Sequence, residues 1–364
     1  MSYWQIGIDE AGYGPILGPF VMSAVALQAA QPFAADAPWK MIFGVSDHRQ
    51  PQNGAKRALT EHQWCVADSK QLHRGPRALA RLEYHTLPIL WPWLGSSRQC
   101  RTLLDRLSVT EIVGLRQPCY ALGRLKLPLC HSPQLIVRRA ERCRQSLEDA
   151  GLVLPKPLTF ILLPEEINRI IAQMGTKSAL PVLGWEQLMP AMLAATRTEV
   201  GTDAEGRWHP ARSFESATDD SPQPTHVPIT WELICDHLGG RTHYAAILPG
   251  VLNGWELQAY REGRTRCEYL LAPSNPPKSS HQARLRITVL PRAEKQAFVV
   301  ALASMISKYI RELFMFHWNR YWQKQVPGLR PTAGYPADAD RFLQDIATAR
   351  ARLGLADAVI RRCR

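Results

Sequence analysis

The first fifteen residues constrain this chain more than any other stretch. Residues 3–8 alternate so that Trp4, Ile6 and Ile8 share one face, the period of a strand. Asp9 and Glu10 follow at once, and Gly12, Gly14 and Pro15 then interrupt extended structure. Residues 18–27 (GPFVMSAVAL) are apolar and β-rich, which predicts a strand returning beside the first. Carboxylates at the tip of a buried strand are costly to desolvate unless a cation meets them, so a divalent metal is one reading. The other is an ordinary hairpin whose acids face water. A dinucleotide fingerprint is a poor match, because Gly12-x-Gly14 lacks the third glycine and no helical pattern follows.

Composition narrows the partners. The 364 residues carry 44 Lys+Arg against 32 Asp+Glu, a net charge of +12, which favours a polyanion and nucleic acid before membrane. No apolar run approaches a membrane span, and the start of the chain lacks a basic-then-apolar signal, so a cytoplasmic protein is expected. The eight cysteines form no CxxC pair and have no histidine at zinc-finger spacing, which predicts reduced thiols and no structural zinc.

Taken in order, residues 31–64 read as loop. A strand end at 66–72 turns into a helix over 76–89 that Trp91, Pro92 and Trp93 terminate. Ser108 and Glu111 stand at capping-box spacing and predict a short helix over 108–113. Residues 132–150 form a capped helix, 157–163 a strand, and Pro164 and Trp185 open two further helices. Residues 201–228 read as a long loop, and 229–235 as a strand ending at Asp236. Gly239-Gly240 predicts a hairpin into 242–248, with further strands in 255–271 and 285–290 around a loop at 272–282. The span 261–295 is the most densely basic, suiting either a nucleic-acid backbone or charged edge strands. A long helix is predicted over 292–323. Leu302, Ile306, Tyr309, Leu313 and Phe316 make its apolar stripe, and Ser304, Lys308 and Glu312 a polar one. A last helix spans 337–353, and no internal repeat is present.

Several motifs, in the right order, resemble those of type 2 ribonucleases H (ribonucleases HII and HIII). Asp9-Glu10-Ala11-Gly12-Tyr13-Gly14-Pro15…Gly18-Pro19 looks like that family's opening D-E-A-G-x-G-P-x-x-G-P, and Asp68-Ser69-Lys70-Gln71-Leu72 its D-S-K-x-L. Pro164-Glu165-Glu166-Ile167-Asn168 resembles its E-I-D/N helix start, and Asp236 ends a late strand as its third acid does. The stretch from Ala303 to Glu312 is similar to A-S-I-x-A-K-x-x-R-D, and Gly334-Tyr335-Pro336 to the G-Y-P/G-T segment.

The resemblance implies an α/β, ribonuclease H-like fold: a mixed β-sheet flanked by helices. It implies one domain over 1–364, with insertions at about 31–64, 201–228 and 240–290 and a helical end at about 326–364. It implies a monomeric endonuclease that holds two Mg2+ or Mn2+ ions on Asp9, Glu10, Asp236 and Glu312. Asp9 would bridge the ions, with Glu10 and Asp236 on one and Glu312 on the other. The expected substrate is an RNA–DNA hybrid or ribonucleotide-containing DNA, met by Gly12, Tyr13, Gly14, Lys70, Ser304 and Lys308. The chemistry agrees, since two ions about 4 Å apart can activate water and stabilise a leaving oxygen, and hard cations take carboxylate oxygens. The chain departs from the family in three places: Tyr13 stands where its G-R-G has arginine, Glu312 stands for Asp, and its C-terminal H-R-x-S-aromatic stretch is not found. Action on another nucleic acid, or binding without cleavage, are the competing readings.

Overall fold

The computed structural model describes residues 3–43, 64–197, 200–202, 208–210, 230–275 and 283–363. Most of the 201–228 loop, much of 31–64 and residues 276–282 lie outside the described residues.

The fold is α/β, a mixed sheet between two layers of helices, as the sequence reading expects. Strands β1 (Tyr3–Ala11), β2 (Phe20–Ala29) and β3 (Leu158–Leu162) form an antiparallel half. A small ribbon pairs β4 (Val200–Thr202) with β5 (Trp208–Pro210). Strands β6 (Thr230–Cys235), β7 (Trp255–Arg261), β8 (Cys267–Pro273) and β9 (Arg284–Val289) complete the sheet, in the order β3-β2-β1-β6-β9-β8-β7. β6 runs parallel to both β1 and β9, so the C-terminal ends of β1 and β6 lie together. The segment 240–290, set apart by the sequence reading as an insertion, thus supplies β7, β8 and β9 of the sheet.

One face is covered by α1 (Ala37–Phe43), α2 (Ser69–Leu72), α3 (Ala78–Leu94), α4 (Cys100–Leu107) and α5 (Pro133–Asp149), ahead of the long α9. The other carries α6 (Pro164–Met174), α7 (Ala179–Arg197) and α8 (Leu248–Val251). The central α9 (Phe298–Gln325) is followed by α10 (Pro336–Asp345), α11 (Ala347–Arg352) and α12 (Asp357–Ile360). Gly7 is what lets α9 lie against β1. A Cβ there would stand 2.3–2.5 Å from the backbone of Val299 and Val300. Of the predicted stripe, Leu302, Ile306, Tyr309 and Leu313 are wholly buried and Phe316 is half-buried.

Several sequence expectations are corrected. The loop at 31–64 contains α1, pinned by the Trp39 indole N–H donating to the Val66 carbonyl at 2.8 Å. Helix α3 passes through Pro88 and Pro92 to Leu94, because burial of Leu82, Leu87, Leu90 and Leu94 outweighs the roughly 3 kcal/mol cost of an interior proline. No helix begins at Ser108. It follows α4, whose Leu103, Leu104 and Leu107 are buried, and its backbone is extended there. Residues 242–248 form no strand. Tyr244 is buried, and the Tyr244 and Ala245 N–H groups donate to Glu262 Oε1 at 2.6 and 2.9 Å, which folds the segment into a loop. The long helix starts at Phe298 rather than 292, after a separate 3-10 turn at Ala293–Lys295. The last helix is broken at the buried Ile346 into α10 and α11.

Candidate active site

The parallel pairing of β1 with β6 aligns Ile8 with Cys235, so Asp9 and Asp236 leave adjacent strands at the same level. Asp236 is fixed by its own turn: the His237 and Arg292 N–H groups donate to its Oδ1 at 2.7 and 3.2 Å. Arg292 adopts a left-handed backbone, φ 56°, and the 3-10 turn that follows brings Glu294 toward the acids. Burial pushes the Asp9 carboxyl well up, reinforced by the charges of Glu10 and Glu294 and offset in part by a hydrogen bond from Ser304. Burial also pushes Glu10 up to about 7, helped by Asp236 and Glu294, while Lys70 draws it down. Glu294 is raised for the same reasons, burial first and then Asp236 and Asp68. Asp9, Glu10, Asp236 and Glu294 therefore share one electrostatic site.

Glu312, the expected fourth acid, has different company. Lys308 Nζ donates to its Oε1 at 2.8 Å, Arg311 Nη1 to the same oxygen at 3.1 Å, and His73 Nε2 lies 3.5 Å from Oε2. Burial alone would raise the Glu312 carboxyl, but Lys308, Arg311 and His73 outweigh it and hold it below the usual range. Burial lowers His73, against the opposing pull of the Glu312 charge. Glu294 was hidden from sequence reasoning because it falls inside what reads as one continuous helix. Only the turn at Arg292 redirects it.

The Asp68-Ser69-Lys70 segment is built into the same corner. Asp68 caps α2 by accepting from the Lys70 N–H at 2.9 Å, and Ser69 Oγ meets Ser304 Oγ at 3.0 Å. Ser304 is buried and bonded to both Ser69 and Asp9, so its hydroxyl positions the acid. One turn later, Ser307 Oγ donates to the Asp9 carbonyl at 2.9 Å and meets Ser23 Oγ at 2.8 Å.

The glycine turn is held from behind. Gly12 has φ +91°, and a Cβ on it would stand 2.4 Å from the Pro19 carbonyl and 2.9 Å from Arg311 Nε. Gly14 is open, with the half-exposed Tyr335 ring nearest at 3.9 Å. The Tyr13 ring packs over the Gly239 turn, with Lys177 Nζ 5.0 Å from its centroid. Two of the matched motifs serve this loop mechanically. The Ile16 N–H donates to the Gly334 carbonyl at 2.8 Å, and Asn168 Nδ2 to the Ala358 and Arg361 carbonyls at 3.1 and 2.8 Å. The clamped tail delivers Arg362, a buried residue that sequence reasoning passed over. Its guanidinium donates to the carbonyls of Gly12, Pro15 and Gly18. An arginine among polar tail residues gives no signal of burial in sequence.

Among the described residues, no three His, Cys, Asp or Glu side chains are spaced to hold one metal ion together. The chemistry of the donor set nonetheless suits a hard divalent cation. Asp9 and Glu10 are buried carboxyls raised by neighbouring acids, and they hold protons that a cation would displace. No described helix is long and apolar enough to cross a membrane.

No protein-family model matches the chain, and a search of curated proteins finds no match. Among solved structures it is similar to ribonuclease HII from Archaeoglobus fulgidus, described in complex with PCNA. That likeness has 12% identity, 99% of this chain and 94% of that one covered, and a TM-score of 0.39. It is similar to ribonuclease H2 from Pyrococcus horikoshii OT3 at 12% identity, with 98% and 92% covered and a TM-score of 0.35. It is similar to Bst-RNase HIII in complex with Mn2+ at 14% identity, with 99% and 66% covered and a TM-score of 0.39.

Proposed function

We propose that this protein is a metal-dependent endonuclease of the ribonuclease H type, cutting the RNA strand of RNA–DNA hybrids. The observation that carries the reading is that Asp9 and Asp236 stand at one level of two adjacent parallel strands, with Glu10 next to Asp9 and Glu294 in the turn after β9, and that Glu10 and Glu294 raise Asp9 while Asp236 raises Glu10 and Glu294. Such an arrangement is unstable without cations and would repel a phosphate chain if it served binding alone.

In this reading Asp9, Glu10 and Asp236 hold Mg2+ or Mn2+, and Glu294 takes the fourth place that the sequence gives to Glu312. Bound there, the ions would supply an activated water and a stabilised leaving oxygen. Ser304 and Ser307 fix Asp9 from α9, and the Asp236 turn sets the direction of Glu294. Lys70 offers positive charge beside Glu10 for an incoming phosphate. Lys308 and Arg311 spend part of theirs on Glu312, which keeps that cationic corner ordered. The backbone of the Gly12–Gly14 turn, held rigid by Arg362, suits reading a 2′-hydroxyl.

The test is cleavage of a labelled hybrid with Mg2+ or Mn2+, beside single-ribonucleotide duplex, duplex RNA and branched DNA. Hybrid cutting that Asp9→Asn abolishes is the expected result. Cutting of another substrate alone would assign the site to that nucleic acid, and salt-sensitive binding without any cut would remove the enzyme reading.

A further inference from the structure

A second feature lies on the α9 side of the sheet and runs along β6 and β9 from the end of the strands opposite the acids. Side chains alternate along β6 and β9, so Glu232, Ile234 and Asp236 share a face with Arg286 and Thr288 of the neighbouring strand. Beyond the start of α9 no described element covers this face. A groove of ≈ 800 Å3 remains, lined by Phe33, Glu232, Arg266, Leu270, Arg284 and Arg286 among others. Its volume is that of a ligand site rather than a packing defect.

The groove is basic at its floor and apolar at its wall. Arg266, Arg284 and Arg286 are exposed, and among the described residues neither Arg284 nor Arg286 pairs with a carboxylate. The facing acid, Glu232, is already engaged: the Tyr3 hydroxyl donates to it, as does Gln5 Nε2 at 3.2 Å. Arg284 and Arg286 stand two residues apart on one face of β9, roughly 7 Å along the strand. Phe33 is half-buried, braced edge-on against Tyr3 at 5.3 Å between ring centroids. Thr288 also lines the groove. It is 2% exposed, and its hydroxyl has no hydrogen-bond partner among the described residues. A buried hydroxyl left without a partner at the base of a cationic groove points to a ligand oxygen.

We propose that this groove is a second, non-catalytic binding site for a single nucleic-acid strand, with Arg284 and Arg286 on its phosphates and Phe33 against a base. Two arginines in line suit a chain of phosphates rather than one isolated anion, and an aromatic wall suits bases of any sequence. The level of Arg284 lies six residues from that of Asp236, roughly 20 Å along the sheet, so the two arginines are remote from the acids, toward which the groove runs as far as Thr288 and Leu290. The inference goes beyond the proposed hydrolysis and does not depend on it.

The experiment is binding of fluorescent decathymidylate to the full chain in EDTA, read by anisotropy across a salt series. The variant Arg284→Ala/Arg286→Ala is expected to bind about tenfold more weakly. Its slope of log affinity against log salt should be shallower by about 1.4, the loss of two phosphate contacts on a single strand. Wild-type affinity and slope in that variant would overturn the proposal. If it does not fold, Arg284→Glu at an exposed position decides in its place: weaker binding supports the site and unchanged binding overturns it. Displacement of the oligonucleotide by decaglutamate as readily as by unlabelled decathymidylate would also overturn it, because the groove would then read charge alone.

Discussion

Raising the pH of the metal-free protein should destabilise it through its own acids. Glu10 has an ordinary value of 4.5 and is pushed up to about 7 by burial, then by Asp236 and Glu294. A carboxyl raised in the folded state gives stability that is full below its unfolded value and lost as pH rises through its folded value. The window is therefore about pH 4.5 to 7. The distance from 4.5 to about 7 corresponds to about 3 kcal/mol. At roughly 2.1 cal/mol/K per residue, 364 residues give an unfolding entropy near 0.8 kcal/mol/K, so Tm should fall by about 4 °C. Asp9 is raised as well and acts in the same direction.

Histidines lowered by burial oppose this trend, His317 among them. Burial, then Arg139 and His131, push His85 down to about 3, and burial lowers His73. A lowered histidine costs stability as pH falls below its unfolded value near 6.5, which masks the carboxyl effect in the wild type alone. The informative quantity is the Tm of wild type minus that of Glu10→Gln, measured by calorimetry in EDTA at pH 5 and pH 8. The difference should drop by about 3 °C between the two, since part of the effect is already lost at pH 5. With millimolar Mg2+ or Mn2+ it should instead rise, since an ion held by ionised carboxylates competes with protons. Parallel curves for the two proteins in EDTA would refute the reasoning, because Glu10 would then carry no shift.

Glu294→Gln should lower hybrid cleavage by more than about a hundredfold, the upper end for losing a residue that only supports a metal ligand. Glu312→Asp should retain activity and Glu312→Gln should lose less than Glu294→Gln; the reverse order in turnover assays would return the fourth place to Glu312. Arg362→Ala should cost about 4 kcal/mol in urea unfolding, since it leaves the Gly12, Pro15 and Gly18 carbonyls without their donor. Arg362→Lys should not restore it, because one ammonium cannot span three carbonyls, and full stability in the lysine variant would show that charge rather than the fork matters.

What the sequence revealed and what it concealed divide along a physical line. Short-range pattern located β1, β2 and the stripe of α9, because strand and helix periods are local properties. The motifs around residues 9, 68, 164, 304 and 334 were visible as words, but their joint purpose was not. Ser69 meeting Ser304, Asn168 gripping the tail and Gly334 receiving Ile16 are contacts between segments far apart in sequence. Glu294 was concealed by a single left-handed residue, Arg292, which turns a carboxylate out of an apparent helix and toward Asp236. Arg362 was concealed because an arginine reads as solvated until the carbonyls of a distant loop are seen to surround it. Both belong to the layer that holds the loop and strand tips in place, where partners are set by tertiary approach and leave no period in the chain. For a site of crowded acids that layer matters as much as the acids, since only rigid support keeps like charges together long enough for a cation to occupy them.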